Sequence, residues 1–200
     1  MASATDTIAA PRRMGPKGSD VWHAMLDAAE DVLREEGYGA LTSRRVAERT
    51  GVKQRLIYYY FTTMDELIVE TFRRMKAREL EHLSAATGAR HGLREIWAIC
   101  THSTDTRIVQ EFMALANRID TLRAEVVDFI ETSRAMQIEA LAAAMEASGL
   151  GKSLSPAALA IFATSAALAL QREAGIGIST GHDEVLGVIE GFLARLDPPG

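Results

Sequence analysis

Proline is absent from residue 17 to residue 155 of this 200-residue chain, and apolar side chains recur at helical spacing through the same stretch. Proline interrupts helices because it lacks a backbone donor and clashes with the preceding turn. The alternation typical of β-strands is almost absent, so the pattern predicts an all-α fold of about nine helices. Beyond the first four helices, the predicted spans are about 92–104, 106–117, 120–148, 156–174 and 183–196.

The first four helices carry recognisable start and stop signals. Ser19 and Thr42 are suitable N-cap residues, because a side-chain oxygen accepts a bond from a free backbone N–H of the first turn. Thr63 followed by Glu66 is the pattern of a capping box. Gly51 ends the second helix, and a third short helix follows from about residue 54 to residue 60.

Length and cysteine content limit the class of protein. A chain of 200 residues buries enough surface to fold without a metal or disulfide staple. No apolar run reaches the roughly 20 residues that a membrane span needs. The single cysteine, Cys100, forms no internal disulfide, which fits a reducing compartment and predicts a cytoplasmic location. Residues 1–18 predict a flexible arm, and the cations Arg12, Arg13 and Lys17 leave open either a minor-groove contact or a plain tail.

Positive charge is concentrated in one short segment. The whole chain has a net charge of −5, yet residues 42–62 carry five basic residues against one acidic residue. A local net charge of +4 in an acidic chain favours a nucleic-acid partner, although a solvated helix face has a similar composition.

The same segment has the spacing of a helix-turn-helix, in which the second helix enters the major groove of DNA. Two helices of about two turns are joined by a tight turn at Gly51 and Val52. The apolar residues Val46, Ala47 and Ile57 are placed to hold the helices at a fixed angle. Four consecutive aromatic residues, 58–61, cannot all face the core of a helical protein, because consecutive helical residues point in different directions.

This region closely resembles the DNA-binding domain of the TetR family of repressors over about residues 19–75. The resemblance rests on GYGALTSRRVAERTGV at 37–52, LIYYYF at 56–61 and DEL at 65–67. It implies an arm at 1–18, a helix-turn-helix domain at 19–63 and a ligand-binding and dimerisation domain at 64–200.

By position, the resemblance implies nine DNA contacts: Thr42, Ser43, Arg44, Lys53, Gln54, Arg55, Tyr58, Tyr60 and Thr63. Ser43 at a helix start suits a phosphate, and Arg44 suits a guanine. An ion pair between Arg44 and Glu48 is the structural alternative. Half-buried packing is the alternative for Tyr58 and Tyr60, while Tyr59 and Phe61 are expected to pack inward.

Two positions in the matching region depart from the family pattern. Arg55 stands where the family usually has a small residue, and Met64 stands where a phosphate-binding lysine is common. We therefore expect an altered operator preference and no phosphate contact at Met64.

The C-terminal half is expected to hold an effector pocket, because helix bundles place ligand sites between their helices. A plain helical core is the alternative for most of its apolar residues. The candidate pocket residues are Trp97, Cys100, Thr101, Phe112, Met113, Ala116, Asn117, Phe129, Gln137 and Phe162. Thr101, His102, Asn117 and Gln137 are the polar groups that could orient a ligand. We expect a small apolar or amphipathic effector.

The last two predicted helices are candidates for a dimer interface. Residues 156–174 are apolar around the whole circumference, which is typical of a buried helix. Together with the apolar side of 183–196, they would form half of a four-helix interface in a homodimer. The alternative is that both helices cover the core of a monomer.

These features together predict a ligand-responsive transcriptional regulator, most simply a repressor, that binds a palindromic operator in double-stranded DNA as a dimer. Control by a partner protein instead of a small molecule is an alternative. A helical enzyme is the second alternative, because His82, His91, His102 and Cys100 could form a metal or nucleophilic site. They include no closely spaced histidine pair, and the chain lacks a phosphate loop or nucleophile elbow. We therefore expect no catalytic residue, metal or cofactor.

Overall fold

The structure is a computed structural model that describes residues 16–103, 106–149 and 154–198. Within these ranges the chain forms nine α-helices and no strand, which confirms the all-α prediction. The helices are α1 Asp20–Glu36, α2 Ser43–Thr50, α3 Gln54–Tyr60, α4 Met64–Thr87, α5 Gly92–Ala98, α6 Thr106–Ala116, α7 Asp120–Ala147, α8 Pro156–Ala174 and α9 His182–Leu196. Most of the predicted arm, including Arg12 and Arg13, lies outside the described residues.

The predicted N-terminal caps are present. The hydroxyls of Ser19 and Thr42 accept backbone N–H bonds from the residue three positions on, at 3.4 and 3.1 Å. Thr63 accepts the backbone N–H of Glu66 at 3.1 Å. The Glu66 carboxylate accepts from the backbone of Thr62 at 2.7 Å, one residue earlier than a standard capping box requires.

Two glycines end the first two helices in backbone conformations that L side chains rarely adopt. Gly37 has φ +77° and ψ 175° at the end of α1, and a short 3₁₀ turn over Tyr38–Ala40 follows. Gly51 ends α2 in the left-handed region, with φ +67° and ψ 24°. Gly51 thereby allows the tight turn that brings α3 back against α2.

One hydrophobic core runs from the helix-turn-helix into the body of the protein. Buried residues from α1–α4, α6 and α7 form this first core, including Met25, Leu26, Val46, Ile57, Phe61, Ile68, Phe72, Phe112 and Leu122. Because α1–α3 share this core with α4, α6 and α7, the first three helices are firmly packed onto the rest of the chain.

A second, smaller core lies where α4, α5 and α9 meet. It consists of Leu83, Ala86, Leu93, Ile96 and Leu193. The single helix predicted over about 92–104 is instead α5 followed by a π-helical turn over Ile99–Ser103. Turns of this kind are frequent at functional sites.

Helices α8 and α9 are less buried than their composition predicts. Within a single protomer, only Ala160 and Ala167 of α8 are buried, so the alternative that this helix covers the core of a monomer is not supported. Large apolar side chains are exposed on the two helices: Ile161, Phe162, Leu168, Val185, Leu186 and Val188. None of the described helices combines the length and apolar character needed to cross a membrane.

Candidate nucleic-acid interface and effector cavities

The helix-turn-helix is formed by α2, α3 and the turn at residues 51–53. Val46, Ala47 and Ile57 are buried in the first core, and Val52 packs against it. These contacts hold α2 and α3 at a fixed angle, as the spacing predicts. The remaining side chains of both short helices are left at the surface.

Seven of the nine predicted DNA contacts are exposed, and two are buried. The exposed residues are Thr42, Arg44, Lys53, Gln54, Arg55, Tyr58 and Thr63. Ser43 and Tyr60 are the buried ones.

Ser43 lies at the centre of a hydrogen-bond chain between α2 and α3. Gln54 donates from Nε2 to Oγ of Ser43 at 2.8 Å, and Ser43 in turn donates to the hydroxyl of Tyr58 at 3.0 Å. The Tyr58 hydroxyl accepts in this chain, so its own proton remains available to an outside acceptor such as a phosphate oxygen. Ser43 therefore orients Tyr58 and Gln54.

The orientations predicted for Tyr59 and Tyr60 are wrong. Tyr59 is 57% exposed, whereas Tyr60 is only 4% exposed and belongs to the first core. The Tyr60 hydroxyl lies 3.2 Å from Oγ of Ser19, so its polar atom is satisfied inside the protein. Tyr60 packs edge-on against Tyr59 and near Phe61, which is fully buried as expected.

Two of the basic residues in the segment are paired with acidic residues of α1. Arg45 bonds to Glu36 through Nη2 at 2.8 Å. Arg49 bonds to both Glu35 and Glu36, at 2.5 and 2.6 Å. Hydrogen bonds from Arg49 lower the pKa of Glu35, and those from Arg45 and Arg49 lower the pKa of Glu36. These two arginines attach α2 to α1.

The other three cations, Arg44, Lys53 and Arg55, are exposed at the starts of α2 and α3. Arg44 forms the predicted alternative contact, an ion pair from Nε to the carboxylate of Glu48 at 2.9 Å. This pair is exposed and weak, about 0.5 kcal/mol for such spacing, so Arg44 can exchange it for another acceptor. Lys17, the one described cation of the arm, bonds to Glu66 at the start of α4 at 2.7 Å.

The body of the protein contains two apolar cavities. The outer cavity has a volume of about 600 Å³ and lies between α5, α7, α8 and α9. The inner cavity has a volume of about 210 Å³ and lies between α4, α6, α7 and α8. Cys100, Gln137 and Thr164 line both cavities and so form a shared wall.

Seven of the ten predicted pocket residues line these cavities. Trp97 and Phe162 line the outer cavity, Phe112, Met113 and Phe129 the inner one, and Cys100 and Gln137 both. Thr101, Ala116 and Asn117 line neither. Thr101 donates its hydroxyl to the carbonyl of Trp97 at 2.8 Å, Ala116 is buried in the first core, and Asn117 is exposed beyond the end of α6.

The shared wall is polar and internally bonded. Thr164 donates to the amide oxygen of Gln137 at 3.2 Å, and the amide nitrogen of Gln137 points to Sγ of Cys100 at 3.9 Å. Burial, with a smaller effect from the Glu79 carboxylate, raises the pKa of Cys100 to about 11. The thiol is therefore protonated at neutral pH and unsuited to nucleophilic chemistry.

Five polar residues of the cavities were missed by the sequence analysis: Glu79, Ser133, Arg134, Thr164 and Glu184. Arg134 precedes Gln137 by three positions on α7, and residues at this spacing share a helix face. This spacing from Gln137, itself a predicted pocket residue, was the sequence signal that could have identified Arg134 as a cavity residue.

The histidines do not form a common site. His91 and His182 bond to separate carboxylates, those of Asp197 and Glu173, each at 3.1 Å. His82 and His102 are exposed. No group of three or more His, Cys, Asp or Glu side chains is placed to hold a metal ion among the described residues.

An all-helical chain that presents a helix-turn-helix on a cavity-bearing body has the architecture of a DNA-binding transcriptional regulator. Residues 25–71 match the family described as "bacterial regulatory proteins, tetR family". This match confirms the resemblance over the helix-turn-helix segment. No curated protein sequence matches the chain.

Solved structures have the same fold. A TetR transcription regulator from Haloarcula marismortui matches with a TM-score of 0.72 and 17% identity, over 88% of this chain and 96% of that one. A transcriptional regulator from Streptomyces coelicolor is 26% identical, with a TM-score of 0.53, over 75% of this chain and 99% of that one. A complex of SmeT with triclosan matches with a TM-score of 0.59 and 18% identity, over 80% of this chain and 82% of that one.

Proposed function

We propose that this protein is a cytoplasmic, ligand-responsive repressor that binds a palindromic operator as a homodimer and leaves it when a small apolar or amphipathic effector binds. The role is one of binding, without catalysis. The observation that carries the proposal is the exposure of Arg44, Arg55 and Tyr58 on a helix-turn-helix that is otherwise packed into the protein. Arginine suits guanine edges, and the tyrosine hydroxyl suits phosphate oxygens.

The exposed apolar surface of α8 and α9 supports the homodimer. Val188 and Phe162 are large apolar side chains with more than half of their surface exposed. Apolar surface of this kind is normally covered by a partner, and a two-fold dimer presents the same surface from both protomers. Paired recognition helices about 34–36 Å apart would then fit successive major grooves of one operator.

The two cavities support a small-molecule effector. An open apolar cavity favours a ligand over a partner protein, for which a filled core would be expected. The outer cavity, about 600 Å³, lies within the usual size of ligand pockets. The triclosan complex of SmeT is a case of a similar fold with a small molecule bound.

A cluster of three aromatic rings offers a route from the inner cavity to α4. Phe72 of α4 contacts Phe112 of α6 and Phe129 of α7 edge-on, with ring centroids 5.1 and 6.1 Å apart. All three rings line the inner cavity. A ligand that displaces Phe112 or Phe129 would displace Phe72 and so tilt α4.

Only three residues separate the end of α3 from the start of α4, so a tilt of α4 moves the recognition helix. A ligand that binds the tilted state more tightly shifts the population away from DNA. A change from 1:99 to 99:1 requires about 5.5 kcal/mol of differential affinity, which two pockets in a dimer can share.

Selection of bound DNA from a random pool tests the proposal. We expect a palindrome whose half-sites are about one helical turn apart. The selected duplex is then used to measure affinity with and without candidate effectors. No enrichment of any sequence at low salt, or an enriched site without two-fold symmetry, would contradict the proposal.

A further inference from the structure

Arg134 brings a positive charge to the inner cavity, and no acidic side chain of the described residues forms an ion pair with it. Its side chain lines the cavity beside Ile130 and Gln137 of the same helix. The Nε atom is buried and has no hydrogen-bond partner. Over the ranges that the structure describes, Arg134 forms no ion pair and no hydrogen bond.

The buried Nε–H of Arg134, which has no acceptor, does not stabilise the fold. Buried N–H groups lose their bonds to water, and proteins normally give them an acceptor. On α4, which packs against α7, the charged ends of Arg74 and Arg78 both bond to Glu30, although the Nε of Arg74 also lacks an acceptor. An arginine without an internal acceptor therefore indicates an acceptor that comes from outside the protein.

The rest of the cavity wall limits what this acceptor can be attached to. Most of the lining is apolar, including Phe72, Met75, Leu83, Val126 and Ile130. Glu79 is the single acidic residue of the lining, and it interacts with other groups of the chain. Ser133, Gln137 and Thr164 are neutral. The cavity thus combines an apolar interior with one available positive charge.

We propose that the inner cavity binds an apolar carboxylate, with the guanidinium of Arg134 as its counter-ion. The fork of guanidinium N–H groups matches the two oxygens of a carboxylate. The volume of about 210 Å³ suits a short acyl or single-ring body. The inference rests on the proposed function, because it names the chemical class of the effector.

Three probes of one shape and different charge test this site: octanoate, octanamide and octylamine. Their binding to the full chain, without DNA, is measured by titration calorimetry at neutral pH. We expect octanoate to bind about tenfold to a hundredfold more tightly than octanamide, since a hydrogen bond to a charged group has this effect. Phenylpropionate and its amide repeat the comparison with an aromatic body.

Three variants assign the preference to Arg134. Arg134→Met keeps the length of the side chain and removes its charge, and it should abolish the preference for the acid. Arg134→Lys should retain part of it. Arg118→Met is the matched control, because Arg118 is exposed and lines neither cavity. This control should bind like the parent.

The melting temperature of ligand-free Arg134→Met should equal or exceed that of the parent, because no internal bond is lost. A lower melting temperature would overturn the inference. Equal binding of acid and amide, or tightest binding of the amine, would also overturn it. The same holds if the acid preference survives in Arg134→Met, or if neither acid binds. An acid preference that depends on Arg134 supports the site even where the operator complex is unaffected. In that case only the release step of the proposed function fails.

Discussion

Nη2 of Arg78 on α4 lies 2.7 Å from Oε1 of Glu30 on α1. Arg74, one turn earlier on α4, bonds to the other oxygen of the same carboxylate at 3.3 Å. Nη2 of Arg34, also on α1, lies 2.9 Å from Oε1 of Glu30 and completes the cluster. Glu30 itself is buried, and these bonds tie α1 to α4, the helix that lines the inner cavity.

Replacement of Glu30 by Gln should lower the free energy of unfolding by about 2 kcal/mol at neutral pH, because a buried charge cluster loses its anion. Urea unfolding followed by circular dichroism measures the change. Glu139→Gln, at an exposed position of α7 without an ion pair among the described residues, is the control and should unfold like the parent.

The difference between the parent and Glu30→Gln should depend on pH. Burial raises the pKa of Glu30, but Arg78, Arg34 and Arg74 lower it further, and the net pKa is below the ordinary value. A lowered folded-state pKa gives stabilisation that is complete above the unfolded pKa and is lost as pH falls through the folded pKa. The gap in unfolding free energy should therefore narrow on acidification. A gap that stays constant from neutral to acid pH would argue against this assignment.

Arg44→Ala should weaken operator binding by about 1–3 kcal/mol and relax the preference at one base pair. Affinities for the selected site and for single-base variants of it measure both effects. Arg195→Ala, an exposed arginine on α9, is the matched control and should leave operator affinity unchanged. Equal binding of all sequences by Arg44→Ala and the parent would show that Arg44 serves only its ion pair with Glu48.

The two tyrosines of α3 should respond differently to removal of the hydroxyl. Tyr60→Phe should lower the free energy of unfolding by about 1 kcal/mol, because its hydroxyl bonds to Ser19 inside the protein. Tyr58→Phe should chiefly weaken DNA binding, since this ring is 52% exposed. Thermal melts and operator titrations of both variants make the comparison. The reverse pattern would mean that Tyr60 is the phosphate contact.

Gly37→Ala should destabilise the protein by about 1–3 kcal/mol, because φ is +77° at this position. An added Cβ would also approach Oε1 of Glu111 to 3.0 Å. Gly39→Ala is the control, since nothing lies within 4 Å of the added carbon. Similar melting temperatures for the two variants would refute this account of Gly37.

Val188→Glu should convert the proposed dimer to monomers, because a carboxylate would be buried in the interface of α8 and α9. Val188 is 59% exposed in the protomer, and Val127 on α7 is 54% exposed. Val127→Glu is therefore a control of matched exposure outside the proposed interface. Sedimentation velocity measures the assembly state. A parent protein that sediments as a monomer would contradict the dimer itself.

The secondary structure was predictable because its signals are local. The hydroxyl caps at Ser19, Thr42 and Thr63 and the glycines at 37 and 51 act within one turn of the chain, and the helices begin and end where these residues place them. The π-helical turn at Ile99–Ser103 was not predictable. Its register depends on contacts with distant helices, such as the bond from Gln171 to the carbonyl of Cys100 at 2.6 Å.

The orientation of individual side chains was harder to predict from the sequence. Tyr59 and Tyr60 are chemically identical neighbours on a seven-residue helix, so periodicity alone does not decide which ring enters the core. Tyr60 lies in the core, where its hydroxyl forms a hydrogen bond with the hydroxyl of Ser19. Arg134 was overlooked because a charged residue normally marks the solvent side of a helix.

The attachment of Arg45 and Arg49 to α1 has a consequence for how the protein responds to ionic strength. Cations that displace counter-ions from DNA set the slope of affinity against salt, about −0.9 in logarithmic terms for each phosphate neutralised. Glu35 and Glu36 already neutralise these two guanidinium groups, so only Arg44, Lys53 and Arg55 of the segment are left to release counter-ions. We therefore expect the proposed DNA binding to depend less on bulk electrostatics than the net charge of this segment suggests, and more on the match between side chains and base edges.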